Sequence, residues 1–130
     1  MKRMLIDTNV YSEFKRGTDE VVSRLQTPEE VLICATVMGE LLGGFRCGNH
    51  LEKNIRELEE FLDRPRVKFV ETGYMTAEYY AEVYRTLRGK GQPIPTNDMW
   101  ITASALEHGA ALYSLDDHFD SIDTLLRPPL

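Results

Sequence analysis

Four acidic residues stand where predicted strands and helices begin or end: Asp7, Glu40, Asp98 and Asp116. Asp7 directly follows the short apolar run at residues 4–6, so its carboxylate should be held at the edge of a buried sheet. If the four carboxylates converge, they repel one another and must bind either protons or a cation. Because Mg²⁺ and Mn²⁺ prefer oxygen ligands, the set predicts a divalent metal site.

Three of these acids have ordinary structural explanations when each is considered alone. Asp98 falls in the first turn of a predicted helix, where the helix dipole favours a carboxylate. Glu40 lies among apolar helix residues and could form a salt bridge or face solvent. Asp116 stands in a loop, where Asp is common, and Asp117 competes with it for the same role. Asp7 has the least structural reason for its position, and the joint pattern is what predicts a site.

The segments that must position the acids alternate between strand-like and helix-like patterns. Strands are predicted at residues 4–7, 31–34, 67–70 and 111–113, and helices at 10–16, 19–26, 37–47, 50–63, 75–88 and 98–107. This alternation predicts an α/β fold of three layers, with a mostly parallel central sheet of four to five strands flanked by helices. Sites in such sheets lie beyond the carboxyl ends of the strands, which is where Asp7 and Asp116 should meet.

Capping and helix-breaking residues set the predicted ends of several helices. Thr36 is a plausible cap for the helix at 37–47. Either Thr96 or Asn97 is expected to cap the helix at 98–107. Gly89 and Gly91 should end the helix at 75–88, and a polar loop is expected at 114–120.

The composition restricts the class of protein. The net charge of −6 counts against a protein that coats nucleic-acid duplexes, although an enzyme that touches few phosphates can carry it. No apolar run approaches the roughly 20 residues that span a bilayer. Asp7 interrupts the apolar N-terminal run too early for a signal peptide, so we expect a cytoplasmic protein. Cys34 and Cys47 are expected to be buried structural thiols.

The four acids lie in segments that resemble the motifs of PIN-domain ribonucleases, and specifically of the VapC toxins of toxin–antitoxin pairs. The matching segments are LIDTNVYSE at residues 5–13, TVMGEL at 36–41, NDMWITA at 97–103 and LYSLDDHF at 112–119. Each motif alone is weak, but their order and spacing match over essentially the whole chain. The resemblance implies a single PIN domain at residues 1–130.

The resemblance also implies a chemistry. The acids that match Asp7, Glu40, Asp98 and Asp116 bind Mg²⁺ or Mn²⁺ in that family and are its catalytic set. Such an enzyme hydrolyses RNA phosphodiesters as an endoribonuclease. The polar residues beside the acids should support the site: Thr8, Asn9, Asn97 and Ser114. The family often has Thr at the last of these positions, and the hydroxyl is retained here.

The resemblance implies partners as well. Such toxins usually form homodimers, and a small antitoxin blocks the site. The groove for that antitoxin could involve Val10, Phe14 and residues 41–45. Arg46, Arg85 and Arg88 are candidates for contacts with RNA phosphates.

Aromatic and histidine residues receive structural interpretations. Tyr79, Tyr80 and Tyr84 recur at helical spacing, which favours core or dimer contacts over stacking on bases. The mechanism requires no histidine. His118 is interpreted as structural or solvated, although it is the histidine nearest to the acids and could touch the substrate.

Three other functions remain open on the sequence. A metal-dependent phosphatase with Asp7 as nucleophile would need a second acid two residues later, where this chain has Asn9. A non-catalytic PIN-like module that binds RNA or protein would be signalled by loss of an acid, and all four are present. A DNA-directed nuclease of the same fold usually carries a helical arch, for which this chain has no room.

Overall fold

A four-stranded parallel sheet forms the centre of the protein. The computed structural model describes residues 1–129. Its strands are β1 (Arg3–Ile6), β2 (Glu30–Cys34), β3 (Val67–Val70) and β4 (Ala111–Tyr113). They lie in the order β3-β2-β1-β4, and all three pairings are parallel. The predicted α/β architecture with a mostly parallel sheet is therefore confirmed.

Pairs of helices connect successive strands and flank the sheet. These are α1 (Thr8–Arg16) and α2 (Asp19–Arg24), α3 (Ala35–Cys47) and α4 (Leu51–Leu62), and α5 (Tyr74–Lys90) and α6 (Thr96–Glu107). A short 3₁₀ turn at His118–Ser121 follows β4 and overlaps the end of the polar loop predicted at 114–120. Among residues 1–129, no helix combines the length and apolar composition that a bilayer crossing requires.

The central strand has no solvent-exposed face. Met4, Leu5 and Ile6 are completely buried, as are Ile33 in β2 and Leu112 in β4. Such continuous apolar runs are typical of parallel strands covered by helices on both faces. Burial on both faces fixes the end of β1 and therefore the position of Asp7, which directly follows it.

The order of the strands creates a crevice beside β1. The chain adds β2 and then β3 on one side of β1, and it returns to place β4 on the other side. The order therefore reverses between β1 and β4. In open parallel sheets, ligands bind at this reversal, outside the carboxyl ends of the strands.

Three predicted helix starts were each two residues too late. Helix α1 begins at Thr8, because Asp7 occupies the cap position. Helix α3 begins at Ala35 directly after β2, so Thr36 lies inside the helix. Helix α6 begins at Thr96, and Pro95 takes the preceding position with the φ of −55° that its ring imposes.

Two further expectations were also wrong. Gly89 does not end α5, which continues to Lys90 and stops at Gly91 with a left-handed φ of 66°. Cys34 is buried as expected, but Cys47 is exposed at the end of α3. Cys47 therefore has no structural role in the core.

Candidate active site

Asp7 and Ser114 meet at the carboxyl end of the sheet because of strand register. Ile6 of β1 pairs with Tyr113 of β4, so the next residues of the two strands are neighbours. The Asp7 backbone N–H donates to the Tyr113 carbonyl at 3.0 Å. The Ser114 hydroxyl donates to Oδ2 of Asp7 at 2.6 Å. Asp7 is only 6% exposed, so this bond is shielded from water.

Asp7 also caps α1. Its Oδ1 accepts a hydrogen bond from the Thr8 backbone N–H at 2.8 Å, and its backbone is extended. This capping role of Asp7 was not predicted from the sequence. Both carboxylate oxygens are therefore held by neutral donors, which fix the side chain in one orientation.

Glu40 is held by residues from two other helices. The Thr8 hydroxyl of α1 donates to Oε1 of Glu40 at 2.5 Å. The Asn97 side-chain amide of α6 donates to Oε2 at 3.2 Å. Within residues 1–129 no Lys or Arg forms a salt bridge with Glu40, so the salt-bridge explanation for this acid is wrong. These two contacts bring α1, α3 and α6 together around one half-buried carboxylate.

His118 joins the two remaining acids. Its Nδ1 lies 2.7 Å from Oδ2 of Asp98 and 3.2 Å from Oδ2 of Asp116. Its backbone N–H donates to Oδ1 of Asp116 at 3.0 Å. This bridging role was not predicted from the sequence. The available signal was its position two residues after Asp116, where a side chain can return to the acid.

Asn9 and Ser114 connect α1 to the loop that follows β4. The Asn9 side-chain oxygen accepts from the Leu115 backbone N–H at 3.1 Å, and its Nδ2 lies 3.5 Å from the Ser114 Oγ. The same Ser114 Oγ accepts from the Asp116 backbone N–H at 3.0 Å. One serine hydroxyl thus links the acid that follows β1 to the acid in the loop after β4.

The acids influence one another electrostatically. Burial raises the pKa of Asp7, and the negative charges of Glu40 and Asp98 raise it further, while hydrogen bonds from Ser114 and Thr8 oppose these effects. Burial likewise raises the pKa of Asp98, and the contact with His118 opposes this effect. The bond to Asp98 raises the pKa of His118. In the absence of a cation, ionisation of Asp7 and of Asp98 is therefore less favourable than in water.

The donor chemistry of the site fits a hard divalent cation. In residues 1–129, neither Asp7 nor Glu40 forms a salt bridge with Lys or Arg, and their oxygens are held by neutral donors. The acids do not already form a tight coordination sphere. Within those residues, the one group of three possible ligands with atoms within 4.8 Å is Asp116, Asp117 and His118. Mg²⁺ commonly takes one or two carboxylates and keeps several waters, so it suits such an open arrangement.

The arginines predicted to contact RNA differ in their surroundings. Arg85 is exposed and forms a 2.8 Å ion pair with Glu82. Arg88 donates to the hydroxyl of Tyr84 at 3.3 Å. Arg46 is exposed in the last turn of α3. Their contacts with RNA stay predictions.

Comparison with known families decides the classification of this fold. The model of the PIN domain family matches residues 4–125. The chain belongs to the PIN domain family. The resemblance inferred from the four motifs is therefore confirmed at the level of the family.

Individual relatives of this PIN domain share its length as well as its fold. It is 26% identical over 112 residues to Ribonuclease VapC1 of Haemophilus influenzae (strain R2866), covering 83% of this chain and 82% of that protein. The crystal structure of VapBC2 from Rickettsia felis, bound to a DNA fragment from their promoter, contains a chain with a TM-score of 0.85 and 24% identity. The match covers 97% of both chains.

A third relative is named for the system to which it belongs. It is VapBC-5 of Mycobacterium tuberculosis, a member of the VapBC family of toxin–antitoxin systems. The TM-score is 0.76 at 21% identity, and the match covers 98% of this chain and all of that chain. The two structural matches place the PIN domain in the same three-layer α/β fold.

Proposed function

We propose that this chain is a metal-dependent endoribonuclease that acts as the toxin of a toxin–antitoxin pair. It works as a single PIN domain, and Asp7, Glu40, Asp98 and Asp116 form its catalytic set. The observation that carries the proposal is the hydrogen-bond network that connects these acids at the reversal of strand order. Four neutral side chains and His118 build that network. The similarity to Ribonuclease VapC1 supports RNA as the substrate.

The protein's own residues orient the acids. Ser114 and the Thr8 backbone hold the two oxygens of Asp7, and the Thr8 hydroxyl and Asn97 hold those of Glu40. His118 holds Asp98 beside Asp116. Such preorganisation matters because a polar site that is already oriented does not have to reorganise during the reaction.

Mg²⁺ or Mn²⁺ is the proposed cofactor, held mainly by Asp7 and Asp98 with Glu40 and Asp116 nearby. When bound, the ion lowers the pKa of a water molecule and polarises the scissile phosphate. The charges of the acids account for this choice, because burial, together with mutual repulsion, raises the pKa of Asp7 and Asp98, and a divalent cation offsets both effects. Of the two candidates for the fourth acid, Asp116 is favoured over Asp117, because the charge of Asp116 acts on Asp98.

The partners of the proposed toxin are a small antitoxin and a second copy of the chain. The names of the Rickettsia and Mycobacterium relatives support the antitoxin. Val10 and Leu41 are buried, so the groove expected to involve them is partly wrong. Phe14 does line a cavity of about 500 Å³ between α1, α2 and α4. That cavity also contains Val31 and Val67 from the amino ends of β2 and β3, whereas the acids lie at the carboxyl end of the sheet, so it is not the part of the groove that blocks the site.

Two experiments test the function at different levels. Purified wild-type protein should cleave total RNA with Mg²⁺ or Mn²⁺ and lose this activity in EDTA, and end mapping then identifies the target. Expression without an antitoxin should arrest bacterial growth, whereas expression of Asp98→Asn should not. Normal growth with both chains, together with intact RNA in the tube, would refute the toxin assignment.

A further inference from the structure

A second cavity, of about 330 Å³, is lined by residues of α5, of α6 and of the loop between them. It opens where α5 ends and α6 begins. Its lining includes Tyr84, Leu87, Arg88, Pro93, Ile94 and Met99. Met99 directly follows Asp98, a proposed catalytic acid, in the sequence of α6. Its volume is at the lower end of the range of small-molecule sites.

Three aromatic rings form a row whose outer member, Tyr84, lines this cavity. The rings of Tyr80 and Trp100 have centroids 4.1 Å apart at an interplanar angle of 26°. Tyr84 continues the row at 6.4 Å from Tyr80, also at 26°. The inner rings are half-buried, whereas Tyr84 is 45% exposed. The outer end of the row therefore has aromatic surface available for another flat ring.

Arg88 gives the cavity a positive charge that no acid neutralises within residues 1–129. The neighbouring cations of α5 are already paired, Arg85 with Glu82 and Lys90 with Asp123. Arg88 instead donates to the Tyr84 hydroxyl at 3.3 Å. The Arg88 guanidinium can bind a phosphate, and the exposed ring of Tyr84 beside it can stack on a base.

We propose that this cavity binds one nucleobase of the RNA substrate, with the base stacked on Tyr84 and its phosphate beside Arg88. The proposal rests on the proposed function, since it makes the cavity a subsite for one nucleotide of the RNA. The cavity would also influence which RNA sequences are cleaved, because the bound base contacts apolar side chains of fixed shape.

A second copy of the chain is a poorer occupant of the cavity. In a two-fold symmetric dimer the same patch meets itself. If the cavity lay on the two-fold axis, the unpaired Arg88 side chains of the two copies would approach and repel each other. RNA brings a phosphate with every base, so its charge is complementary to Arg88.

The test uses a fluorescent nucleotide, 2-aminopurine ribonucleoside 5′-monophosphate, whose emission is quenched when its base stacks. Wild-type protein and Tyr84→Phe should quench it saturably, because both keep the ring. Tyr84→Ala should bind roughly 5- to 150-fold more weakly, which is the range for loss of one base–aromatic stack. Tyr74→Ala is the matched control, since Tyr74 is an 81% exposed tyrosine at the other end of α5. Ribose 5-phosphate, which lacks a base, should compete poorly.

Three results would overturn the base site. The first is equal binding by wild type and Tyr84→Ala. The second is conversion of a dimer into a monomer by Tyr84→Ala in sedimentation, which would make the cavity a contact between copies. The third is an unchanged KM for single-stranded RNA in Tyr84→Ala despite weaker probe binding, which would make it a site for free nucleotides.

Failure of the nuclease gives a different result from failure of the base site. Wild-type protein that quenches the probe but cleaves no RNA would count against the proposed function and leave the base site in place. RNA cleavage with no quenching of the probe would count against the base site and leave the proposed function in place.

Discussion

Ser114 and Asp7 are 107 positions apart in the chain, yet the Ser114 hydroxyl donates to the Asp7 carboxylate at 2.6 Å. The parallel register of β1 and β4 brings them together. This hydrogen bond lowers the pKa of Asp7 and opposes the effect of burial. Ser114 therefore helps keep ionised the acid that follows the central strand.

Ser114→Ala should move the acidic limb of the cleavage–pH profile to higher pH. Without the hydroxyl, the pKa of Asp7 rises further, so the carboxylate stays protonated over a wider range of pH. Loss of a hydrogen bond to a charged group also costs about 1.5–3 kcal/mol of stabilisation. Ser114→Thr is the control, because it keeps the hydroxyl and should keep the profile. Identical profiles for the Ala and Thr variants would show that the bond has no influence on Asp7.

Asp7→Asn should stabilise the metal-free protein at neutral pH. The pKa of Asp7 is raised in the folded state, so the ionised acid destabilises the fold once the pH exceeds its ordinary pKa of 3.8. Asn removes the charge and still caps α1. We expect the Tm in EDTA at pH 7 to rise by a few degrees, on the order of 1 kcal/mol.

The pH dependence provides the control for this stabilisation. The difference in Tm should shrink as the pH falls towards 3.8, where wild-type Asp7 also becomes neutral. Asp63→Asn, at an exposed acid after α4, should change the Tm little at either pH. A lower Tm for Asp7→Asn at pH 7 would mean that the interactions of the charged form outweigh its burial.

Mg²⁺ or Mn²⁺ should raise the Tm of the wild-type protein, and EDTA should reverse the rise. A ligand at 100 times its Kd stabilises the folded state by about 2.7 kcal/mol, provided that it does not bind the unfolded chain. Asp98→Asn should weaken this response because it removes a proposed ligand. A rise of equal size in Asp98→Asn would place the ion elsewhere on the protein.

The neighbouring acids Asp116 and Asp117 should differ in importance. His118 donates from its backbone to Asp116 and lies between Asp116 and Asp98. Asp117 is exposed, and its carboxylate accepts no hydrogen bond from the described part of the chain. Asp116→Asn should therefore reduce RNA cleavage at least about 10-fold, whereas Asp117→Asn should keep most of it. The opposite ranking in a cleavage assay would identify Asp117 as the fourth acid.

The sequence predicted the strands well because their signals are local. The apolar run before Asp7 and the similar runs at β2 and β4 are buried on both faces, so composition alone identified them. Caps were predicted less well. Helix α1 starts at Thr8 and not at Val10, because Asp7 caps it directly after β1. Helix α6 starts after Pro95, so Thr96 is its first residue and not its cap. In both cases the connection to the preceding strand or loop decided the start.

The members of the candidate site were predictable, but their contacts were not. Motif order pointed to Asp7, Glu40, Asp98 and Asp116 together. The pairing of Thr8 and Asn97 on Glu40 depends on how α1 and α6 pack beside α3, which no local pattern encodes. His118 was missed for the same reason, since its partner Asp98 is 20 residues away.

The most direct test of the central claim is single-turnover cleavage of RNA by wild type and Asp7→Asn with saturating Mg²⁺. The Tm of each protein is recorded in parallel in EDTA. We predict a loss of at least about 100-fold in the cleavage rate, comparable to removal of one preorganised electrostatic contact, in a variant whose Tm in EDTA is at least that of wild type. Cleavage by folded Asp7→Asn at the wild-type rate would contradict the assignment of these acids as the catalytic site.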